Sequence, residues 1–172
     1  MKSLGTRARG ARLERMQASP RFADGRFRNL HPIAPGLRDP GAKMPTIGEF
    51  LCGGERRVPV GPLPSVDPLA AWLRPAGLRA TWLGHSTVLI EIDGLRILTD
   101  PVWGHRASPS SLAGPKRFQP MPVALKAMPP VDLVIVSHDH YDHLDYPTIR
   151  QLAKVGVPFV TSLGVGAHLE AW

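Results

Sequence analysis

Ser137-His138-Asp139-His140-Tyr141-Asp142-His143-Leu144-Asp145 is the stretch that decides the fold. Imidazole nitrogens and carboxylate oxygens are ligands of zinc and similar metals, and the order His-x-His-x-Asp-His supplies four of them within six positions. Where the chain leaves an extended strand, His138 and His140 point the same way and can share one metal, while Asp142 and His143 can face a second. The alternative is a surface loop rich in His and Asp, which the density of ligands makes the weaker interpretation.

The residues on either side of this stretch predict a βαβ unit. Val131–Val136 is an apolar run interrupted only by Asp132, which predicts a strand buried on both faces. Pro147–Lys154 is typical of a helix with proline in its first turn, Val157–Thr161 predicts another strand, and Val165–Trp172 begins a further helix. The metal loop therefore lies at the carboxyl end of a strand, where α/β proteins place functional residues.

Three strands are predicted further upstream, at Arg79–Leu83, Thr87–Ile92 and Leu95–Thr99. Asp93-Gly94 is a two-residue turn of the kind found in tight hairpins, so the second and third strands should pair antiparallel. We therefore expect an α/β domain over residues 78–172.

Residues 1–77 are predicted to form a basic arm, rich in Pro and Gly and largely extended, with short helical turns at Ile47–Cys52 and Pro68–Leu73. From Met1 to Leu30 there are eight basic and two acidic residues, a local charge of +6 within a net charge of +7. Such an arm either contacts anionic membrane or is a solvated tail. It lacks the aromatic pattern that stacks on bases, so no nucleic acid partner is expected.

Cysteine content and hydropathy favour a cytoplasmic protein, with peripheral contact to the membrane through the arm. Cys52 is the single cysteine, which excludes an intramolecular disulfide. No apolar run approaches the ~20 residues of a membrane span, and the first residues lack the apolar core of a secretory signal.

The motif at 138–143 is the signature of the metallo-β-lactamase fold superfamily, and other stretches resemble one branch of it. These stretches are residues 82–87 (WLGHST), 98–101 (LTDP), 106–109 (RASP), 114–118 (GPKRF) and 140–146 (HYDHLDY). Together they resemble the N-acylphosphatidylethanolamine-hydrolysing phospholipase D branch with its bacterial relatives, over roughly residues 12–172. The resemblance implies an α/β fold, the αββα sandwich, of which this chain supplies the N-terminal half behind a Pro-rich extended arm.

The resemblance also implies a metal-dependent hydrolase with two Zn²⁺ per complete site. His138 and His140 would bind one metal, and His143 and the catalytic Asp142 the other. The substrate would be a phospholipid, N-acylphosphatidylethanolamine, cut at its phosphodiester to N-acylethanolamine and phosphatidate. Two alternatives stay open: a lactonase or sugar-phosphate hydrolase of the same superfamily, and an inactive, truncated module that binds lipid or another partner.

Four further residues are candidates for the site. By the resemblance, Asp100 supports the metal ligands through hydrogen bonds; the alternative is a carboxylate that closes a turn. His85 is either a pocket residue or a packed histidine. Lys116 and Arg117 either contact the lipid phosphate or belong to a solvated loop.

The family's remaining ligands, a third His, a bridging Asp and a last His, lie downstream of the first motif. Only 29 residues follow His143 here, with one histidine, His168, in a predicted ordinary helix, and no Asp follows Asp145. We therefore expect this chain to be a fragment that binds metal weakly and hydrolyses little alone. Its open apolar sheet face would favour association, for example as a homodimer.

Overall fold

The computed structural model describes residues 2–31, 41, 46, 58–74 and 77–172. Its main feature is a five-stranded sheet whose strands lie side by side in sequence order. The strands are β3 (Leu78–Gly84), β4 (Thr87–Ile92), β5 (Leu95–Thr99), β6 (Leu133–Val136) and β7 (Phe159–Thr161). Pairing is antiparallel from β3 to β5 and parallel from β5 to β7, which confirms the predicted α/β class.

The predicted hairpin and the predicted βαβ unit are both present. Asp93 and Gly94 have positive φ angles of 49° and 80°, as the tight turn between β4 and β5 requires. Helix α3 (Tyr146–Lys154) connects β6 to the parallel β7. It begins at Asp145, whose side chain accepts a hydrogen bond from the Thr148 N–H, with proline in the first turn.

The N-terminal residues are more regular than predicted. A 3₁₀ turn (Lys2–Leu4), helix α1 (Gly10–Gln17) and a small hairpin of β1 (Phe22–Ala23) and β2 (Arg26–Phe27) replace the extended chain expected there. Distant contacts account for the helix: Arg12 pairs with Glu170, and Met16 packs against Gly164. Contacts of this kind cannot be identified from local periodicity.

Two shorter α-helices and a 3₁₀ turn (Leu125–Ala127) complete the described chain. Helix α2 (Leu69–Trp72) confirms the turn predicted at 68–73, and α4 (Gly166–Ala171) lies within the predicted C-terminal helix. The turn predicted at Ile47–Cys52 lies outside the described residues.

The boundary at residue 77 stays a prediction, although Trp72, which precedes it, is 3% exposed in the core. No helix in the described ranges is long and apolar enough to cross a membrane.

The core lies on one face of the sheet. One row of paired residues crosses the strands through Leu89, Leu98 and Val134, each fully buried. Ile149 and Leu152 of α3 belong to the same core cluster. Helix α3 therefore packs against this face.

The opposite face is apolar and open. Its row runs through Trp82 and Val160, which are 58% and 53% exposed, and Ile135 between them is partly exposed. The prediction that β6 is buried on both faces is therefore wrong, because within the described residues nothing encloses its second face. Association through this face, including a homodimer, stays a prediction.

A buried carboxylate joins the three antiparallel strands on the core side. Glu91 of β4 is 6% exposed and lies between its strand partners, Arg79 of β3 and Arg96 of β5. Both arginines form ion pairs with it, and Arg96 also donates to the Trp72 carbonyl at 3.0 Å. The hydrogen bond from Arg79 holds the pKa of Glu91 below its ordinary value, against the opposing effect of burial and with help from Arg96.

We expect Glu91→Gln to lower the free energy of unfolding at pH 7 by about 1–3 kcal/mol, because two arginines lose their carboxylate partner. Since the folded pKa is lowered, this stabilisation is present above about pH 4.3 and is lost as the pH falls through the folded value. Urea unfolding at pH 7 and pH 3.5 should therefore show the difference between variant and wild type shrinking in acid. Glu14→Gln, on the exposed surface of α1, is the control; an equal loss there would contradict the assignment.

Candidate metal centre

Side chains from three strands meet at one edge of the sheet. Because β3 runs parallel to β5 and β6, their carboxyl ends lie on the same side. His85 follows β3, Asp100 follows β5, and the stretch 137–143 follows β6. The predicted metal loop therefore lies at the carboxyl edge, as the βαβ pattern indicated.

Asp100 connects these strand ends. Its carboxylate accepts from the Ser137 N–H at 2.7 Å and the Ser137 hydroxyl at 2.8 Å, and its Oδ2 lies 2.8 Å from Nδ1 of His143. The residue is 6% exposed and has a φ of 38°, a left-handed conformation that Asp tolerates better than most residues. These contacts are the ones that a residue supporting metal ligands would make, and that role stays a prediction.

This network sets the tautomers of two histidines. Since the carboxylate only accepts, Nδ1 of His143 carries the proton that it donates to Asp100. The Ser137 hydroxyl also donates to Asp100, so it accepts from Nδ1 of His138, 2.8 Å away. In the neutral tautomer of each imidazole, Nε2 is then the nitrogen with a free lone pair, which is the atom that can bind a metal.

His85, Asp142 and His143 bring possible metal-ligand atoms close together. Nε2 of His85 and Nε2 of His143 lie 3.0 and 3.6 Å from Oδ2 of Asp142. Ligand atoms of these residues all lie within 4.8 Å of one another. Burial favours a higher pKa for Asp142, but its own backbone N–H and the neighbouring His143 and His85 outweigh burial and hold the pKa below its ordinary value. Asp142 is therefore a carboxylate at neutral pH, as a metal ligand must be.

His138 and His140 complete the cluster. Their ring centroids are 4.5 Å apart, and the centroid of His138 lies 4.0 Å from that of His143. All four residues of the motif are thus close together, which the predicted two-metal assignment requires; the assignment itself stays a prediction.

His85 is the residue whose role the sequence left most open. Its side chain is 52% exposed and contacts Asp142, so it is not packed in the core, and its role as a pocket residue stays a prediction. It also has a φ of 49°, and strained backbone of this kind is common at functional sites. The Gly84-His85 pair at a strand end was the available signal. His168, by contrast, accepts from the Thr6 N–H and lies 3.4 Å from Asp139, outside the ligand group.

A cavity of about 420 Å³ opens beside the cluster. Its lining includes Trp82, His85, Lys116, Arg117, Phe118 and Asp142. Its far wall is the loop 102–120, held by an antiparallel bridge between Arg106 and Lys116 and by Gly104, whose N–H donates to Asp145 at 3.2 Å. Both residues predicted as phosphate contacts therefore lie in the same cavity as Asp142.

The donor set fits a metal of the zinc type. Imidazole Nε2 atoms and a carboxylate oxygen suit zinc and similar divalent ions, and the described group includes no thiolate of the kind that closed structural sites prefer. The Asp100–His143 contact is the arrangement that orients a ligating histidine.

Comparison with known proteins agrees with this geometry. Residues 95–172 match the family model described as a beta-lactamase superfamily domain. An uncharacterized protein of Mycobacterium tuberculosis is 45% identical over 159 residues, which are 91% of this chain and 42% of that protein. An N-acyl-phosphatidylethanolamine-hydrolyzing phospholipase D of Caenorhabditis elegans is 51% identical over 80 residues (46% of this chain, 22% of that protein). A UPF0173 metal-dependent hydrolase of Methanopyrus kandleri is 37% identical over 67 residues (39% and 24%). This chain thus spans less than half the length of these relatives.

We expect Asp100→Asn to weaken zinc binding by about 10- to 100-fold, because the amide is a poorer acceptor for the Nδ1 proton of His143. Asn also tolerates the left-handed backbone at this position, so the fold should survive. Competition with a fluorescent zinc chelator measures the affinity. Asp93→Asn is the matched control, another left-handed Asp but in the β4–β5 turn. Equal affinities for Asp100→Asn and wild type would contradict this role.

Proposed function

We propose that the chain carries one part of the active site of a metal-dependent hydrolase, and that the metal is zinc. The match of residues 95–172 to the beta-lactamase superfamily domain model supports this proposal. The observation that carries this proposal is the convergence of His85, Asp142 and His143 beside the His138–His140 pair. A relative named as a metal-dependent hydrolase supports the reaction class.

A metal at this cluster would supply Lewis acidity and make water acidic enough to attack at neutral pH. The residues of the chain perform the remaining tasks. Asp100 accepts the Nδ1 proton of His143, which leaves Nε2 of His143 to face the metal. Asp142 is kept ionised by its neighbours, so its carboxylate can also bind the metal.

The substrate that we propose is an N-acylphosphatidylethanolamine-type phospholipid, hydrolysed to N-acylethanolamine and phosphatidate. The cavity beside Asp142 combines apolar rings, Trp82 and Phe118, with two basic side chains, Lys116 and Arg117. A phosphodiester attached to acyl chains requires both kinds of contact. The relative from C. elegans supports the same substrate by its name.

Metal content is the first measurement. We expect about one zinc per chain or fewer after dialysis, since the described group supplies only part of a two-metal ligand set. The double variant Asp142→Ala, His143→Ala should lose that metal in elemental analysis, and His31→Ala, far from the motif in sequence, should keep it. Metal retained by the double variant would contradict the centre; two zincs per chain would show that the chain completes the site by itself.

The reaction is tested with four substrates: N-acylphosphatidylethanolamine vesicles, bis(p-nitrophenyl) phosphate, a lactone and a sugar phosphate. We expect slow hydrolysis of the two phosphodiesters that requires zinc and falls at least about 100-fold in Asp142→Asn, because that residue is a proposed ligand and lies at the reacting centre. Faster turnover of the lactone or the sugar phosphate would assign the other superfamily chemistry. Absence of zinc-dependent hydrolysis with all four would contradict an enzymatic role for this chain.

A further inference from the structure

Arg117 has an unusual position in the wall of the cavity. Its Nη2 donates to the Val102 carbonyl at 2.8 Å and its Nε to the Gly104 carbonyl at 3.3 Å. These two contacts fix the guanidinium plane without using Nη1. Nη1 lies beside Gly84, 3.3 Å from where a β-carbon would stand, and Gly84 directly precedes His85 of the metal cluster.

The charge of Arg117 has no direct counter-ion in the part of the chain that the structure describes. No carboxylate there forms an ion pair with the guanidinium, and Nη1 has no acceptor. The carboxylate of Asp145 attracts the guanidinium electrostatically but forms no ion pair with it, and accepts hydrogen bonds from Gly104 and Thr148. Burial lowers the pKa of Arg117 despite Asp145, yet a guanidinium stays charged at neutral pH. A half-buried cation without a partner is costly unless a ligand supplies the anion.

We infer that Arg117 is the anion-binding residue of the cavity and that its Nη1 donates to a non-bridging oxygen of an ionised phosphodiester. This inference rests on the proposed function for the identity of the anion, but the binding requires neither metal nor hydrolysis. The ligand class is a phosphodiester monoanion, either a free diester or the headgroup linkage of a lipid. A prepositioned guanidinium loses little side-chain entropy on binding, which favours Arg117 over a flexible lysine.

Lys116 is the natural comparison. It lines the same cavity and has the same charge, but it is exposed and its backbone forms the bridge to Arg106. An exposed lysine contributes a screened, mobile charge that does not distinguish one anion from another. Arg117 should therefore dominate anion binding, although the two residues are adjacent in sequence.

The experiment measures binding to metal-free protein, so that hydrolysis cannot interfere. Dimethyl phosphate, an anion, and trimethyl phosphate, its neutral triester, are titrated by calorimetry, with short-chain phosphatidylethanolamine below its micelle concentration as the lipid probe. We expect wild type to bind the diester at least about 10-fold more tightly than the triester. Arg117→Gln should abolish this preference, Arg117→Lys should retain part of it, and Lys116→Gln, which removes an exposed charge, should lower it much less than Arg117→Gln does.

Arg117→Gln also removes two hydrogen bonds to the loop backbone, so thermal unfolding of each variant is recorded. The test of wild type needs no variant: equal affinity for the two phosphate esters would overturn the inference. Equal loss in Lys116→Gln and Arg117→Gln would also overturn it, since a diffuse positive surface predicts that result. The NMR signal of the Arg117 side-chain Nε–H can be assigned by its absence from the spectrum of Arg117→Lys. This signal should shift when dimethyl phosphate is added to wild type. An unmoved signal would count against direct contact.

These outcomes separate the inference from the proposed function. A protein that prefers the diester but hydrolyses nothing would retain anion binding and lose the enzymatic proposal. A protein that hydrolyses with zinc but shows no diester preference would retain the hydrolase and lose the role of Arg117. Binding of the lipid probe with no binding of dimethyl phosphate would assign recognition to the apolar wall, against the inference.

Discussion

The carboxylate of Asp100 is the group on which the candidate site depends. It is almost fully buried and receives hydrogen bonds from the backbone and the hydroxyl of Ser137 and from His143. Three donors stabilise its charge, so its burial is compensated. Since Asp100 ends β5 and Ser137 follows β6, the same bonds join two parallel strands and orient the histidines. Fold and ligand geometry are therefore coupled at one residue.

Asp145 has the corresponding role at the other end of the ligand stretch. It begins α3 by accepting from Thr148, and it also accepts from the N–H of Gly104 in the cavity loop. A β-carbon at Gly104 would stand 2.7 Å from this carboxylate, so glycine permits the approach. The same loop places Arg117, which bonds the Gly104 carbonyl. Two buried carboxylates thus fix the ligand stretch and the cavity wall relative to each other.

The sequence predicted what local patterns can encode. The ligand motif after an apolar run located the metal loop, and the Asp-Gly turn located the β4–β5 hairpin. Helix α1 was missed because its contacts, such as Arg12 with Glu170, join residues 158 positions apart. The burial of β6 was overestimated because an apolar strand has the same sequence whether or not its second face is covered. His85 was left undecided because its partner Asp142 is 57 positions away.

The charges that line the cavity bear on which of the proposed substrates it would favour. Asp100 and Asp142 each have hydrogen-bond or histidine partners within the cluster, whereas Arg117 has no ion-pair partner among the described residues. A neutral lactone would displace water from this guanidinium without replacing its charge interaction, so binding it would carry a desolvation cost. A phosphodiester would supply that interaction in a cavity that Asp142 also lines. Discrimination between the two substrate classes would then come from one cation in the cavity wall, separate from the ligands that hold the metal.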